Sequence, residues 1–175
     1  HARGPDGGPL PCKWFTNEAH QATYLFNPLT QSHMQGLTPH QHAEILLQSL
    51  GLEYGEGYGR KHFGGQNRDV LCRVFMQFPE IRTFTQIRDY LPQLGLSKKQ
   101  QEDAGDVLTI VNSLSAFDAL NATPDDGVPA AALEQAIDLP DVFERPQVLS
   151  FHLPATLEQA SVREIGQLAL YTLLT

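Results

Sequence analysis

The chain has 175 residues, of which 41% are hydrophobic and 18% are charged. A chain of this size and composition can bury a core, which excludes a disordered protein and suits one domain or one domain with an appendage. The formal net charge of −8 argues against broad binding of nucleic acid by the chain alone, although it leaves room for a local basic patch.

The apolar runs of the sequence are short. None approaches the roughly 20 residues that span a bilayer, and no signal peptide is visible at the start, so we expect a cytoplasmic location and no membrane contact from this segment. The two cysteines, Cys12 and Cys72, lie far apart and form no CxxC pair, which indicates reduced thiols. Cys72 falls on the predicted apolar side of a helix, where a thiol packs as a small hydrophobic group.

The first part of the chain predicts short strands. Residues 1–11 are rich in proline and glycine and are expected to form a loose lead-in. Lys13–Thr16 and Thr23–Phe26 are β-type runs on either side of a turn-like segment, so the sequence predicts a hairpin. Asn27, which precedes a proline, is expected to end the second run.

A well-marked helix signal begins at Thr38. Thr38 can cap the helix, Pro39 suits its first position and Gln41 completes a capping box. Gly51 is expected to end this helix, because glycine readily takes the left-handed backbone angles found at helix ends.

The segment that follows, GLEYGEGYGRKHFGGQN over Gly51–Asn67, is rich in glycine. No frame fits the phosphate-loop pattern GxxxxGK[ST] or the dinucleotide pattern GxGxxG, and the segment follows a predicted helix rather than a strand. Two interpretations remain open: a flexible loop between two helices, or a functional loop. In the second interpretation Arg60, Lys61 and Arg68 would contact nucleic-acid phosphate or a neighbouring subunit.

A block of helices is predicted next. The first of them runs from about Asn67 to Phe78 and ends at a proline. Two more begin at Thr83 and Ser97, where Gln86 and Gln100 three residues later predict capping boxes, and the second is expected to be one long helix through Leu114. A loop and a short helix complete the block.

The sequence changes character near its end. The run PQVLSFHLP over Pro146–Pro154 predicts a buried strand, in which His152 would be a hydrogen-bonded core residue. Ser161 and Glu164 form a further capping-box pattern and predict a final helix. This helix reaches Thr175 without a stop signal, which suggests that the protein has been cut there.

The sequence contains no recognisable pattern for catalysis or metal binding. His40 and His42, two of the seven histidines, are two positions apart on a predicted helix and therefore point in nearly opposite directions. No HExxH or GxSxG motif occurs, and Cys12 has no catalytic signature around it. We therefore expect no catalytic residue, no metal ligand and no cofactor within this chain.

Several soft patterns nevertheless occur in a recognisable order. YLFNPL precedes a helix, GLEYGEGYGRKHF follows it, and PQVLSFHLP precedes a helix rich in LALYTLL. From about Tyr24 onward this order resembles the middle of an ATPase of the FtsK–HerA type, and most closely the DNA-pumping coupling proteins of conjugation and type IV secretion. The phosphate loop (Walker A) and the Asp-Glu strand (Walker B) of that family are absent, and would lie upstream of His1 and downstream of Thr175.

The resemblance implies a mainly α fold with a small β part. Residues 1–30 would be a lead-in and short strands of an α/β core, residues 31–140 a helical inserted domain, and residues 141–175 a core strand plus helix of a truncated P-loop-type sheet. The implied partners are DNA, secretion-system proteins and neighbouring protomers of a hexamer. ATP and magnesium would be cofactors of the parent protein, whereas this fragment is expected to be inactive alone because it lacks both Walker motifs.

Two other functions stay open. A stand-alone helical protein-interaction module, with no link to nucleotides, would also account for the helical block. A small-molecule or peptide-binding enzyme would require a site assembled only in three dimensions, with a deep pocket that holds a titratable pair.

Overall fold

The computed structural model describes residue 3 and residues 7–18, 21–52, 58–154 and 159–174, with the backbone alone at 58–63, 125, 159–160 and 174. This part of the chain holds two β-strands and nine α-helices. The strands are β1 (Cys12–Thr16) and β2 (Val148–His152), and the helices are α1 (Pro39–Ser49), α2 (Tyr58–Gln77), α3 (Phe84–Tyr90), α4 (Lys98–Asp103), α5 (Gly105–Leu114), α6 (Asp118–Asn121), α7 (Ala130–Glu134), α8 (Asp141–Glu144) and α9 (Gln159–Leu174).

The fold is mainly helical with a small two-stranded sheet, and this confirms the predicted fold class. β1 and β2 run parallel, in a register that pairs Cys12 with Val148 and Thr16 with His152. In the sequence, helices α1 to α8 therefore separate two strands that are neighbours in space.

The predicted hairpin is wrong. β1 pairs with β2, and Thr23–Phe26 forms no strand, although it passes close to β1. The backbone N–H of Tyr24 donates to the carbonyl oxygen of Trp14 at 2.9 Å, but the N–H of Phe26 donates to Ala119 at 2.9 Å instead of continuing along β1. This segment thus contacts the helical block and does not form the continuous backbone hydrogen bonds with β1 that a hairpin requires.

A cluster of three phenylalanines explains why the two distant strands meet. Phe15 of β1, Phe151 of β2 and Phe26 have ring centroids between 5.3 and 5.9 Å apart. Phe15 and Phe26 are fully buried. Aromatic pairs in such arrangements contribute about 0.5–1.5 kcal/mol each beyond the burial of their surface. Local sequence patterns do not reveal this gain, because the rings come from three separate parts of the chain.

The boundaries of α1 agree with the prediction. The N–H of Gln41 donates to Thr38 Oγ1, and Gln41 Oε1 accepts from the N–H of Thr38 at 2.8 Å, so the capping box is present. Gly51 has a φ of 65°, and the N–H of Leu52 donates to the carbonyl oxygen of Leu47 at 2.9 Å. A left-handed glycine therefore ends the helix, as expected.

Helix α2 begins earlier than predicted. The sequence predicts a start near Asn67, whereas the helix begins at Tyr58 and includes Gly64 and Gly65. Each glycine in a helix interior costs about 1 kcal/mol relative to alanine. The apolar face around Val70 packs against α1 and offsets this cost, so tertiary contacts override local propensity. The part of the predicted loop over 53–57 lies outside the described residues.

The other predicted caps of the helical block are largely correct. Thr83 Oγ1 accepts from the N–H of Gln86 at 3.0 Å at the start of α3. The predicted capping box there is incomplete, because Gln86 Oε1 accepts from the N–H of Arg82 at 2.6 Å instead of from Thr83. Ser97 and Gln100 form a complete capping box at α4. The predicted single helix through Leu114 is wrong, because the chain breaks at Ala104 and α5 begins at the following glycine.

The C-terminal elements differ in detail from their predictions. β2 is a strand as predicted, but it is not a buried one, since none of its five residues is buried. The side chain of His152 is 65% exposed, so it is not the core residue that the run of apolar neighbours predicts. α9 begins at Gln159, which places Ser161 and Glu164 inside the helix on its buried side rather than in a capping box. Among the described helices, none combines the length and apolar character needed to cross a membrane.

Candidate functional site

The predicted basic residues lie in the first turn and near the middle of α2. Arg60 and Lys61 lie in its first turn, where the backbone is helical and the side chains fall outside the described set. Arg68 lies two helical turns further on and is half-exposed. The structure thus places these three residues on one helix rather than on a loop.

Arg68 is held by a carboxylate on the neighbouring helix. Its Nε donates to Glu44 Oε2 at 3.0 Å and its Nη2 donates to Glu44 Oε1 at 3.2 Å. This two-point geometry matches the planar guanidinium to the carboxylate and fixes α2 against α1. The side chains of Arg68 and Glu44 are 48% and 37% exposed, so the pair contributes at most about 1 kcal/mol.

The same carboxylate belongs to a longer hydrogen-bonded chain. Gln48, one turn after Glu44 on α1, donates from Nε2 to Glu44 Oε1 at 2.9 Å. The hydroxyl group of Tyr171 on α9 donates to Gln48 Oε1. Polar contacts therefore connect α9, which follows the sheet, with both α1 and α2 of the helical block.

One turn before Glu44, a histidine contacts a cysteine. His40 Nδ1 lies 3.2 Å from Cys72 Sγ, across the interface of α1 and α2. Burial raises the pKa of the Cys72 thiol, and the positive charge of Arg68 opposes this shift. The thiol is therefore protonated at neutral pH and is suited to donate to the ring nitrogen, which does not favour a reactive thiolate.

His42 points to the other side of α1, as the spacing predicts. Its Nε2 lies 3.0 Å from the carbonyl oxygen of Met34, and its ring centroid lies 5.1 Å from that of Phe75. Within the described part of the chain, no three His, Cys, Asp or Glu side chains form a group that could hold a metal ion.

Two buried amide side chains, which the sequence reasoning missed, lie next to a polar cavity of about 310 Å³. Asn27 Nδ2 donates to the carbonyl oxygens of Arg82 and Ala122 at 2.9 and 3.2 Å. Gln31 Nε2 donates to the carbonyl oxygen of Ile137 at 3.0 Å, and Gln31 Oε1 accepts from the N–H of Leu139 at 2.8 Å. The bonds of Gln31 join the segment after β1 to the segment before β2, whereas those of Asn27 join it to the helical block. The position of Asn27 before a proline was the signal for a turn, but nothing local indicates its partners.

The carboxyl ends of the two strands form a third polar region. His152 Nε2, at the end of β2, lies 3.8 Å from Glu18 Oε1, which follows β1. Thr16 Oγ1 accepts from the N–H of Glu18 at 3.2 Å. Ligands of open parallel sheets bind outside the carboxyl ends of the strands, so this edge is where a larger sheet of this type would place its chemistry.

An apolar groove of about 350 Å³ runs beside β2, and we call it the α9 groove. Three parts of the chain form its walls: β2, α9 and the segment around α8. The lining residues are Leu139, Val142, Leu149, Phe151, Gly166, Ala169, Leu170 and Leu173. Leu170, which lines the groove, is 64% exposed. The sequence indicated both elements but not the groove between them.

Comparison of the chain with protein-family models, with curated proteins and with solved structures gave no match.

Proposed function

We propose that this chain is part of an ATP-driven, DNA-translocating ATPase of the coupling type, in which it serves recognition of DNA or partners and contacts between protomers rather than hydrolysis. One observation carries the proposal: β1 and β2 pair in parallel around a helical block. Parallel strands require a long connection, and purely parallel sheets are typical of larger α/β proteins. A helical domain inserted between two core strands is what the resemblance to FtsK–HerA-type ATPases implies.

Within this proposal the start of α2 is the surface that meets DNA or a neighbouring protomer. Arg60 and Lys61 supply the positive charge there. Arg68 acts differently, since its guanidinium is bound to Glu44 and holds α2 against α1. The net charge of −8 means that this basic surface acts within an assembly and not through strong binding by the chain alone.

ATP hydrolysis by the parent protein tests the proposal. The complete reading frame that contains this chain is expressed, and magnesium-dependent ATP turnover is measured with and without duplex DNA. We expect turnover that DNA stimulates, and no turnover by the 175-residue chain alone. A reading frame without a phosphate-loop motif, or measurable turnover by the chain alone, would overturn the proposal.

A pair of matched variants tests the basic surface. In the parent protein, Arg60→Ala with Lys61→Ala should weaken DNA binding and lower the dependence of log K on log salt, because phosphate contacts are lost. Lys98→Ala with Lys99→Ala removes the same charge from exposed positions on α4 and should leave both quantities unchanged. Surface changes of this kind usually alter folding stability by less than about 0.5 kcal/mol. Equal losses of DNA binding in the two double variants would mean that the net charge of the chain, and not the position of Arg60 and Lys61, determines binding.

A stand-alone interaction module is the second candidate function. The α9 groove of about 350 Å³ favours it, because contiguous apolar surface open to water commonly marks a contact site. A reading frame that begins near His1 and stops near Thr175 would favour this candidate over the first.

A further inference from the structure

A cavity of about 360 Å³ lies between the segment that leads into α1 and the link between α2 and α3, and we call it the Arg82 cavity. Its apolar walls include the buried side chains of Leu29 and Met34. Among the described residues that line it there is no aspartate or glutamate, although the chain has 20 acidic residues. An arginine without an acidic neighbour in the same cavity is suited to a negatively charged ligand.

Hydrogen bonds fix Arg82 in the link before α3. Its Nη1 donates to the carbonyl oxygens of Pro79 and Ile81 at 3.1 and 2.8 Å. Its backbone N–H donates to Gln86 Oε1 at 2.6 Å, and its carbonyl oxygen accepts from Asn27 Nδ2 at 2.9 Å. The guanidinium is therefore positioned before a ligand binds, so binding costs less conformational entropy.

The other edge of this guanidinium makes no hydrogen bond and no ion pair with a described residue. It carries Nε and Nη2, because Nη1 is the nitrogen bound to the carbonyl oxygens. In Arg68 the same two nitrogens donate to the carboxylate of Glu44 at 3.0 and 3.2 Å. Arg88 directs both of them to Asp89 Oδ1, each at 2.8 Å. The edge that Arg82 offers to an occupant is thus one that binds a carboxylate elsewhere in this protein.

The remaining polar side chains of the cavity limit the charge of the ligand. His42 Nε2 lies 3.0 Å from the carbonyl oxygen of Met34, and this nitrogen donates because a carbonyl oxygen only accepts. Thr30 Oγ1 donates to the carbonyl oxygen of Asn27 at 3.3 Å. Arg82 is therefore the main donor for an anion. A single planar guanidinium edge matches one carboxylate, whereas phosphate sites commonly gather several donors.

We propose that the Arg82 cavity binds a small organic acid, in which a carboxylate on Nε and Nη2 of Arg82 is joined to an apolar group that packs against Leu29 and Met34. The volume of about 360 Å³ lies within the range of small-molecule sites, which is about 300–1,000 Å³. A free acid and the C-terminal residue of a peptide both present this chemistry. The inference is independent of the proposed function.

Titration of the chain with two matched probes tests the inference. Isocaproate supplies a carboxylate and an apolar group, and isocaproamide has the same shape without the charge. Amide chemical shifts of isotope-labelled protein are followed by NMR. We expect isocaproate to shift the amides of Gly36 and Arg82, which line the cavity. Isocaproamide should bind at least about tenfold more weakly, because it cannot form the hydrogen bonds between opposite charges.

Variants then test the role of Arg82. Arg82→Met should weaken isocaproate binding at least about tenfold, and Arg82→Lys, which keeps the charge but lacks the planar edge, should give an intermediate affinity. Arg73→Met is the matched control, since Arg73 binds Asp69 on α2 and does not line the cavity, and it should leave the affinity unchanged. Thermal melts followed by circular dichroism check that each variant folds. The comparison of acid and amide needs no variant, so it remains decisive if Arg82→Met unfolds the chain.

A capped dipeptide, N-acetyl-glycyl-leucine, distinguishes the two sources of the carboxylate. Binding of this peptide that Arg82→Met weakens would mean that the cavity accepts peptide C-termini, whereas binding of isocaproate alone would mean a site for free acids. The inference fails if neither probe shifts the amides of Gly36 and Arg82, or if acid and amide bind equally well. No nucleotide or DNA takes part, so this failure is distinct from failure of the proposed ATPase function.

Discussion

The imidazole ring of His33 lies in the short 3-10 turn Ser32–Met34, with both ring nitrogens buried and without a hydrogen-bond partner among the described residues. Burial lowers the pKa of His33 from its ordinary value of 6.5, and the negative charge of Asp138 opposes this shift only in part. The folded protein therefore keeps the ring neutral at pH values where the unfolded chain already binds a proton.

From the burial of His33 we predict that the free energy of unfolding depends on pH. Well above pH 6.5 the ring is neutral in both states and contributes no slope. Below pH 6.5 the unfolded chain binds more protons, so the free energy of unfolding should fall until the lowered pKa of the folded state is reached. Urea unfolding between pH 7 and pH 5 measures this slope.

His33→Leu should flatten the profile of unfolding free energy against pH in that window, because it removes the buried ring. The explanation fails if the profile of His33→Leu retains the full slope.

At the scale of elements, helix starts were predictable where the capping residues act locally. Thr38 and Ser97 form complete capping boxes within three residues of chain, so the sequence contains all of the information. The start of α2 and the start of α9 were mispredicted, because packing against other helices sets both. Gly65 of α2 is an example. Glycine lowers the helix propensity of this stretch, yet the helix forms because packing outweighs that cost.

Gly65→Ala should therefore stabilise the protein. An added Cβ would meet no atom within 4 Å, and alanine in a helix interior is favoured over glycine by about 0.5–1 kcal/mol. Gly51→Ala is the matched control and should destabilise the protein, since its φ of 65° disfavours any side chain. Chemical unfolding gives both values. No gain from Gly65→Ala would argue that this stretch is the flexible loop that the sequence also allowed.

The candidate site was less predictable than the helices. Arg60, Lys61 and Arg68 could be chosen from composition, but the binding of Arg68 to Glu44 depends on how α1 meets α2. The amides of Gln31 and Asn27 and the α9 groove depend on contacts between distant segments, which no local pattern encodes.

At the scale of the whole molecule, the parallel β1–β2 pair holds the two ends of the helical block next to each other. The aromatic rings of Phe15, Phe26 and Phe151 and the amide of Gln31 all stabilise the same arrangement, in which the beginning and the end of the block are adjacent. The proposed function depends on this pairing.

Disulfide trapping tests that pairing most directly. Cys12 is exposed and lies opposite Val148 in the register, and paired strands lie about 4.8 Å apart, within the range that a disulfide bridges. Val148→Cys should therefore cross-link to Cys12 on mild oxidation, as measured by peptide mass. Ser150→Cys lies on the same face, about 6.6 Å further along the strand, and should link far less. Absence of the Val148→Cys link, or equal linking at both positions, would contradict the parallel register.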